Sequence, residues 1–266
     1  MQVPKVIISL TSIPDRLHCE REDGIKSCID SLLNQEYDNY EIHFNIPYKY
    51  NLSHEEYKVP DWLKESDKLK IFRTDDLGPP TKSVPTFERI TDPETIIIIV
   101  DDDLVYHHEM IIEHVRMQGE NDYVYGYDGI GIYDHKEPPF PGDDIRNHYV
   151  VSVFKYTRTK IIQHYKSVSY KRRYIKEDFF TEFLGKTKSD DIMFSAYCNF
   201  HEIPMMVSPY AKEPELVDLE EWKEKGGVKT FPVVKHTAAE METGCNDPRA
   251  EERFYQPQEW IDQRIV

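Results

Sequence analysis

The chain has 266 residues, 39% of them hydrophobic and 12% aromatic, enough to bury a sizeable core and too many for a disordered chain. Its 33 Lys and Arg stand against 49 Asp and Glu, a formal net charge of −16. That balance excludes the basic face on which nucleic-acid binding depends, so a phosphorylated ligand would be small and would arrive with a metal ion.

The longest apolar run, Ile96-Ile97-Ile98-Ile99-Val100, falls far short of the roughly 20 residues a membrane span requires. Residues 1–10 hold one lysine and no small-residue cleavage site, so no secretory signal is expected. Cys19, Cys28, Cys198 and Cys245 contain no CxxC pair, which predicts reduced thiols in a cytoplasmic protein.

Residues 3–10 read as an apolar strand ending in the polar loop Thr11-Ser12-Ile13-Pro14-Asp15-Arg16. Ile25, Cys28, Ile29, Leu32 and Leu33 recur at helical spacing. Residues 41–46 alternate as a half-buried strand, with Ile42, Phe44 and Ile46 on one side. Leu69 and Ile71 mark a short strand closed by Arg73-Thr74-Asp75-Asp76, and Val84, Phe87 and Ile90 return to helical spacing. The β-branched run 96–100 predicts a strand buried on both faces. Met110, Ile111, His114, Val115 and Met117 then predict an amphipathic helix. This order predicts an α/β fold with mainly parallel crossovers.

Beyond about residue 120 the pattern weakens. Residues 123–133 are rich in Gly and Tyr, 137–142 form a proline-rich loop, and 149–154 alternate as a strand. Ser189 precedes a helix carrying Ile192, Phe194, Ala196 and Tyr197, which its hydroxyl could cap. Residues 209–230 are charged and irregular, with Gly226-Gly227 as a turn. With no repeat or linker, the expectation is one domain over 1–266, a ligand-binding half (1–120) followed by a more irregular half (121–266).

Asp101-Asp102-Asp103 follows the buried strand directly. In an open α/β sheet ligands bind beyond the carboxyl ends of strands. Extended alternation would put Asp101 and Asp103 on one side and Asp102 on the other. Like charges held together call for a cation, and oxygen donors suit Mg²⁺ or Mn²⁺, completed by substrate phosphates. The bland alternative is an acidic turn capping the next helix.

Three segments carry a resemblance. The apolar strand ending in Asp-x-Asp at 101–103 resembles the metal and nucleotide-sugar motif of GT-A glycosyltransferases. Residues 6–16 resemble the first strand and nucleotide loop of that fold. Asp76-Leu77-Gly78-Pro79-Pro80-Thr81-Lys82 resembles the Asp-x-Gly-Pro-x-Thr-Lys segment of a bacterial and large-virus branch related to family 2.

The resemblance implies a GT-A fold, with a Rossmann-like, mainly parallel central sheet flanked by helices. It implies an enzyme that moves a sugar from a nucleotide-diphosphate sugar, a UDP-sugar by family frequency, to a hydroxyl of a glycan or glycoconjugate. By this resemblance Asp103 would ligate Mn²⁺ or Mg²⁺, and Asp101 would approach the ribose or a metal-bound water. Asp102 would hold the sugar side of the loop. Thr11, Ser12 and Arg16 would contact base and ribose, while Asp76 and Lys82 belong to the donor site, Lys82 lying near the diphosphate. His236 would complete the metal site. Ser189-Asp190-Asp191-Ile192 resembles the acidic motif opening the catalytic helix of inverting members. It makes Asp191, or its neighbour Asp190, the base that deprotonates the acceptor.

Each of these residues has a plainer alternative: Lys82 as a solvated lysine, Arg16 paired with Asp15 or Glu20, the Ser189 segment as a helix cap, His236 as a structural histidine. His107-His108 would point apart on a helix, where one metal could not take both. Tyr123, Tyr125, Tyr127 and Tyr133 could line an acceptor site or pack as a strand. Two other functions compete. Asp101–Val105 also fits the first motif of haloacid-dehalogenase-type, Mg-dependent phosphatases, with Asp190-Asp191 as its last acidic pair. Against this, about three strands precede the triplet, whereas that nucleophile follows the first. A non-catalytic carbohydrate-binding protein is the other.

Overall fold

The computed structural model describes residues 3–17, 25–132, 148–150 and 157–208. His236, Tyr133, Cys19 and Cys245, and the expectations for 137–142 and 209–230, lie outside them. The first half comprises β1 (Val6–Leu10), α1 (Pro14–Leu17), α2 (Ile25–Leu33), β2 (Tyr40–Pro47), β3 (Leu69–Thr74), α3 (Val84–Arg89), β4 (Ile96–Ile99) and α4 (Met110–Glu120). The second comprises β5 (Val124–Ile132), β6 (His148–Val150), β7 (Thr157–Thr159), β8 (Ile161–Lys171), α5 (Asp190–Phe200) and β9 (Met205–Val207).

One nine-stranded sheet runs β3-β2-β1-β4-β8-β5-β9-β7, with β6 on β5. β1, β2, β3 and β4 pair in parallel, β8 runs antiparallel to both β4 and β5, and β9 pairs parallel with β5. Thus β1–β5 and β9 share one direction. The α/β architecture is as expected, and β1, β2 and β3 do precede the strand that carries the triplet.

Alternation along the central strands divides the core between two faces. Val6, Ile8, Leu10, Ile42, Phe44, Ile96, Ile98 and Val100 pack with α2 and α4. Ile7, Ile97, Ile99, Val168 and Tyr170 pack with α3 and α5. Each fully buried isoleucine contributes about 1.5–3 kcal/mol of transfer free energy, so burial on both faces fixes β4 at the centre of the sheet. The polar-looking strand β8 has no counterpart in the sequence reading. Its Ile162, His164, Val168 and Tyr170 are buried on the α5 side, while Ser167 and Ser169 bond His114 of α4.

Tyr125 and Tyr127 of β5 are buried, and the Tyr127 hydroxyl donates to Glu113 at 2.8 Å. Of the two readings open for these rings, the strand packing on the core is the one found.

Candidate active site

Strand order reverses between β1 and β4: the chain steps outward from β1 to β2 and β3, then returns to the other side of β1. The crevice beyond the carboxyl ends of such a pair is the ligand-binding position of open α/β sheets. β1 delivers Thr11, Ser12 and, through α1, Arg16. β4 delivers Asp101–Asp103.

The triplet is held from below by Tyr106. Its hydroxyl accepts from the Asp101 N–H at 2.9 Å and donates to the Asp101 carbonyl at 3.0 Å. Residues 102–103 form a turn rather than extended chain, so the expected alternation is not kept. Asp102 and Asp103 instead share Arg16, at 2.6 and 3.2 Å, while Asp101 faces Lys82 at 2.7 Å. Asp102 is buried and also accepts from the Ser12 hydroxyl at 2.5 Å. It therefore ties the β1 loop to the β4 loop. Burial alone would lower the Arg16 pKa, but Asp102 and Asp103 outweigh it and hold the guanidinium above its ordinary value. Arg16 pairs across the crevice with Asp102 and Asp103 rather than with Asp15; Glu20 lies outside the described residues.

Lys82 closes the other side. It ends a 3₁₀ turn, Pro79–Lys82, entered through Gly78 at φ 71°, a backbone conformation that favours glycine. Asp76 builds this turn: one carboxylate oxygen accepts from the Gly78 N–H and the other from the Asn51 N–H, both at 2.8 Å. A buried polar network anchors the turn from beneath, with Ser9 Oγ donating to the Lys82 carbonyl at 2.5 Å and meeting Thr86 at 2.6 Å. Thr11, also in the crevice, gives its hydroxyl to the Asn45 carbonyl at 2.7 Å.

The Lys82 ammonium is buried, touching Asp101 at 2.7 Å and Asp190 at 2.9 Å. The solvated-lysine alternative is thereby corrected. Burial opposes its charge, but the carboxylates of Asp101 and Asp190 prevail and raise its pKa. Burial pushes Asp101 up to about 7, against the pull of Lys82.

Asp190 and Asp191 open α5, where Ser189 Oγ accepts from the Ile192 N–H at 3.4 Å. Asp190 Oδ2 also lies 2.8 Å from His164 Nδ1, and His164 Nε2 lies 2.8 Å from the Tyr170 hydroxyl. Although buried, Asp190 is held below the ordinary carboxylate range by Lys82 and His164. Asp191 accepts the His164 N–H at 2.9 Å and keeps a side chain 28% exposed. Burial first, and the Asp190 charge second, raise its pKa. His164 is the residue the sequence reading missed. Its signal was the alternation of Ile162, His164, Val168 and Tyr170, hidden among polar neighbours.

The triplet offers a hard, all-oxygen donor set of the kind Mg²⁺ or Mn²⁺ takes. Asp101 and Asp103 keep side chains 27% and 21% exposed, but Lys82 and Arg16 now offset their charges, and among the described residues the triplet is not one of the groups of three whose ligand atoms lie within 4.8 Å of one another. Among the described residues no helix is long and apolar enough to cross a membrane.

No family profile and no curated protein matches this chain. Among solved structures it is similar to 2-C-methyl-D-erythritol 4-phosphate cytidylyltransferase of Francisella tularensis, at 10% identity over 85% of this chain and 99% of that one, TM-score 0.48. It is similar to 4-diphosphocytidyl-2C-methyl-D-erythritol synthase of Anaerococcus prevotii at 11% identity over 85% and 98%, TM-score 0.49. Glycosyltransferase GlyE of Streptococcus pneumoniae matches at 10% identity over 64% of this chain and 34% of that one, TM-score 0.28. At these identities and scores the likeness decides nothing about the reaction, which is read from the site's own residues.

Proposed function

We propose that this chain is a GT-A-type glycosyltransferase. It transfers a sugar from a nucleotide-diphosphate sugar, UDP by preference, to an acceptor hydroxyl of a glycan or glycoconjugate with inversion. The observation that carries the reading is the single buried ammonium of Lys82 touching both Asp101 at the end of β4 and Asp190 at the start of α5. It joins the donor-side triplet and the α5 acids into one site.

Asp101 and Asp103 would hold Mn²⁺ or Mg²⁺, which supplies charge neutralisation of a departing diphosphate. Thr11, Ser12, Arg16 and the Asp76 turn line the nucleotide side, and Lys82 gives positive charge where the diphosphate lies. Asp190 is committed to Lys82 and His164, so Asp191 takes the proton from the acceptor hydroxyl as that oxygen attacks the anomeric carbon and the nucleoside diphosphate leaves. A raised pKa suits that task near neutrality. His236, outside the described residues, remains part of the proposed metal set.

The test is thermal shift of the whole chain with Mn²⁺ against a panel of nucleotides and nucleotide sugars, followed by product analysis. Stabilisation by UDP-sugars and release of UDP are expected. Release of pyrophosphate would make it a nucleotidyltransferase, and stabilisation only by phosphate mimics would make it a phosphatase; either overturns the reading.

A further inference from the structure

A second group of ligating side chains lies outside this site. His107, His108 and Glu109 each place one ligand atom within 4.8 Å of the others. The expectation that the two histidines point apart assumed a helix, and it is corrected here. They precede α4, in an irregular stretch and turn, and their rings stack with centroids 4.1 Å apart and planes tilted 35°. Glu36, just beyond α2, brings its Oε1 to 2.8 Å from His108 Nδ1.

The backbone of this cluster is fixed. The Gln35 side-chain amide donates to the His107 carbonyl and the Glu36 N–H to the His108 carbonyl, both at 2.8 Å.

His108 Nδ1 supplies an independent observation. It is buried and makes no hydrogen bond, although the Glu36 oxygen is so close: the approach is not aligned for a shared proton. An imidazole nitrogen and a carboxylate oxygen in that relation suit a cation bound between them. His201 Nε2 stands 2.7 Å from Asp178 in the same unaligned way, but it belongs to no group of three ligands among the described residues. The remaining group, His164, Asp190 and Asp191, already has the Lys82 ammonium on it at 2.9 Å.

We propose that His107, His108, Glu109 and Glu36 form a site for a borderline-soft divalent cation of the Zn²⁺ class. Two imidazoles with carboxylates are the donors such an ion takes, whereas the triplet's oxygens take Mg²⁺ or Mn²⁺. Donor chemistry thus sorts two metals between two sites of one chain. The ion staples the segment after α2 to the turn that leads into α4, which lies only a few residues beyond Asp103. All four side chains are partly exposed, so small rotations bring them to bonding distances of about 2.0–2.2 Å.

The experiment titrates Zn²⁺ into the full chain in excess Mg²⁺, with Co²⁺ absorption as a second readout and the metal-free Tm of each variant as the check on folding. One equivalent should bind. His108→Gln and Glu36→Gln should each weaken it by at least about tenfold, the low end for losing even an outer partner of a metal. Asp103→Asn should leave it unchanged. Glu36 is exposed and outside the core, so its variant folds and decides the matter even if the histidine variant does not. Wild-type affinity in Glu36→Gln, or loss of Zn²⁺ binding in Asp103→Asn alone, overturns the assignment.

Discussion

Lys82, itself buried, holds the buried Asp190 and the partly exposed Asp101, so its removal leaves both without their cation. Lys82→Met, which keeps the length of the stem, should lower stability by about 3–5 kcal/mol, the usual cost of stranding a buried charge. Chemical denaturation measures it. Adding Asp190→Asn should return part of the loss, and a Lys82→Met variant as stable as wild type would show the ammonium to be dispensable. Asp191 sits one residue further and is the proposed base. Asp191→Asn keeps size and hydrogen bonding, so donor and metal binding should persist while transfer falls by about 10²–10⁴-fold. Product NMR should show the anomeric configuration opposite to the donor. Near wild-type turnover would transfer the role to another group, and retained configuration would replace the mechanism.

At the scale of elements, β4 and the loop after it are positioned by different forces. The strand is fixed by its isoleucines, buried on both faces. The triplet is fixed by polar contacts, above all the Tyr106 hydroxyl that both donates to and accepts from the Asp101 backbone. Tyr106→Phe leaves the ring in place but strands a part-buried N–H and C=O. A loss of about 1–3 kcal/mol is expected, together with weaker Mn²⁺ binding by calorimetry. Unchanged Mn²⁺ affinity would mean that the loop holds its shape without the clamp. α5 shows the same division: its apolar residues pack against β8, while Ser189 and the two acids face the crevice from its first turn.

At the scale of the molecule, α4 is joined to the sheet by His114, buried between Ser169 Oγ at 2.9 Å and Ser167 Oγ at 2.8 Å, with the Tyr127 ring 5.3 Å away. Burial lowers its pKa from 6.5 to about 3. The unfolded chain therefore binds a proton below pH 6.5 that the folded chain refuses until about pH 3. Stability is full above that window and falls as pH drops through it, by about 1.4 kcal/mol per pH unit from this group. Urea unfolding of wild type and His114→Gln across the window checks it. The variant should have the shallower slope, and parallel pH profiles would remove His114 as the cause.

The strands of the first half were legible in the sequence because each carries a strong apolar signal: β1 and β4 are near-continuous apolar runs, and β2 alternates Ile42, Phe44 and Ile46 with polar residues. The triplet was legible because three carboxylates directly after such a run are chemically conspicuous. The pairings were not legible. That Asp101 turns to Lys82 while Asp102 and Asp103 turn to Arg16 follows from a turn at 102–103 and from strand order, neither of which is a local property. The sequence by itself determined an α/β sheet with acids at the end of its central strand, because hydrophobic periodicity is set by backbone geometry. Only the tertiary structure put His164 against Asp190, and one lysine between two distant acids. Those contacts depend on β8 entering antiparallel beside β4, and the long-range pairing of a polar-looking strand is decided by the sheet it joins.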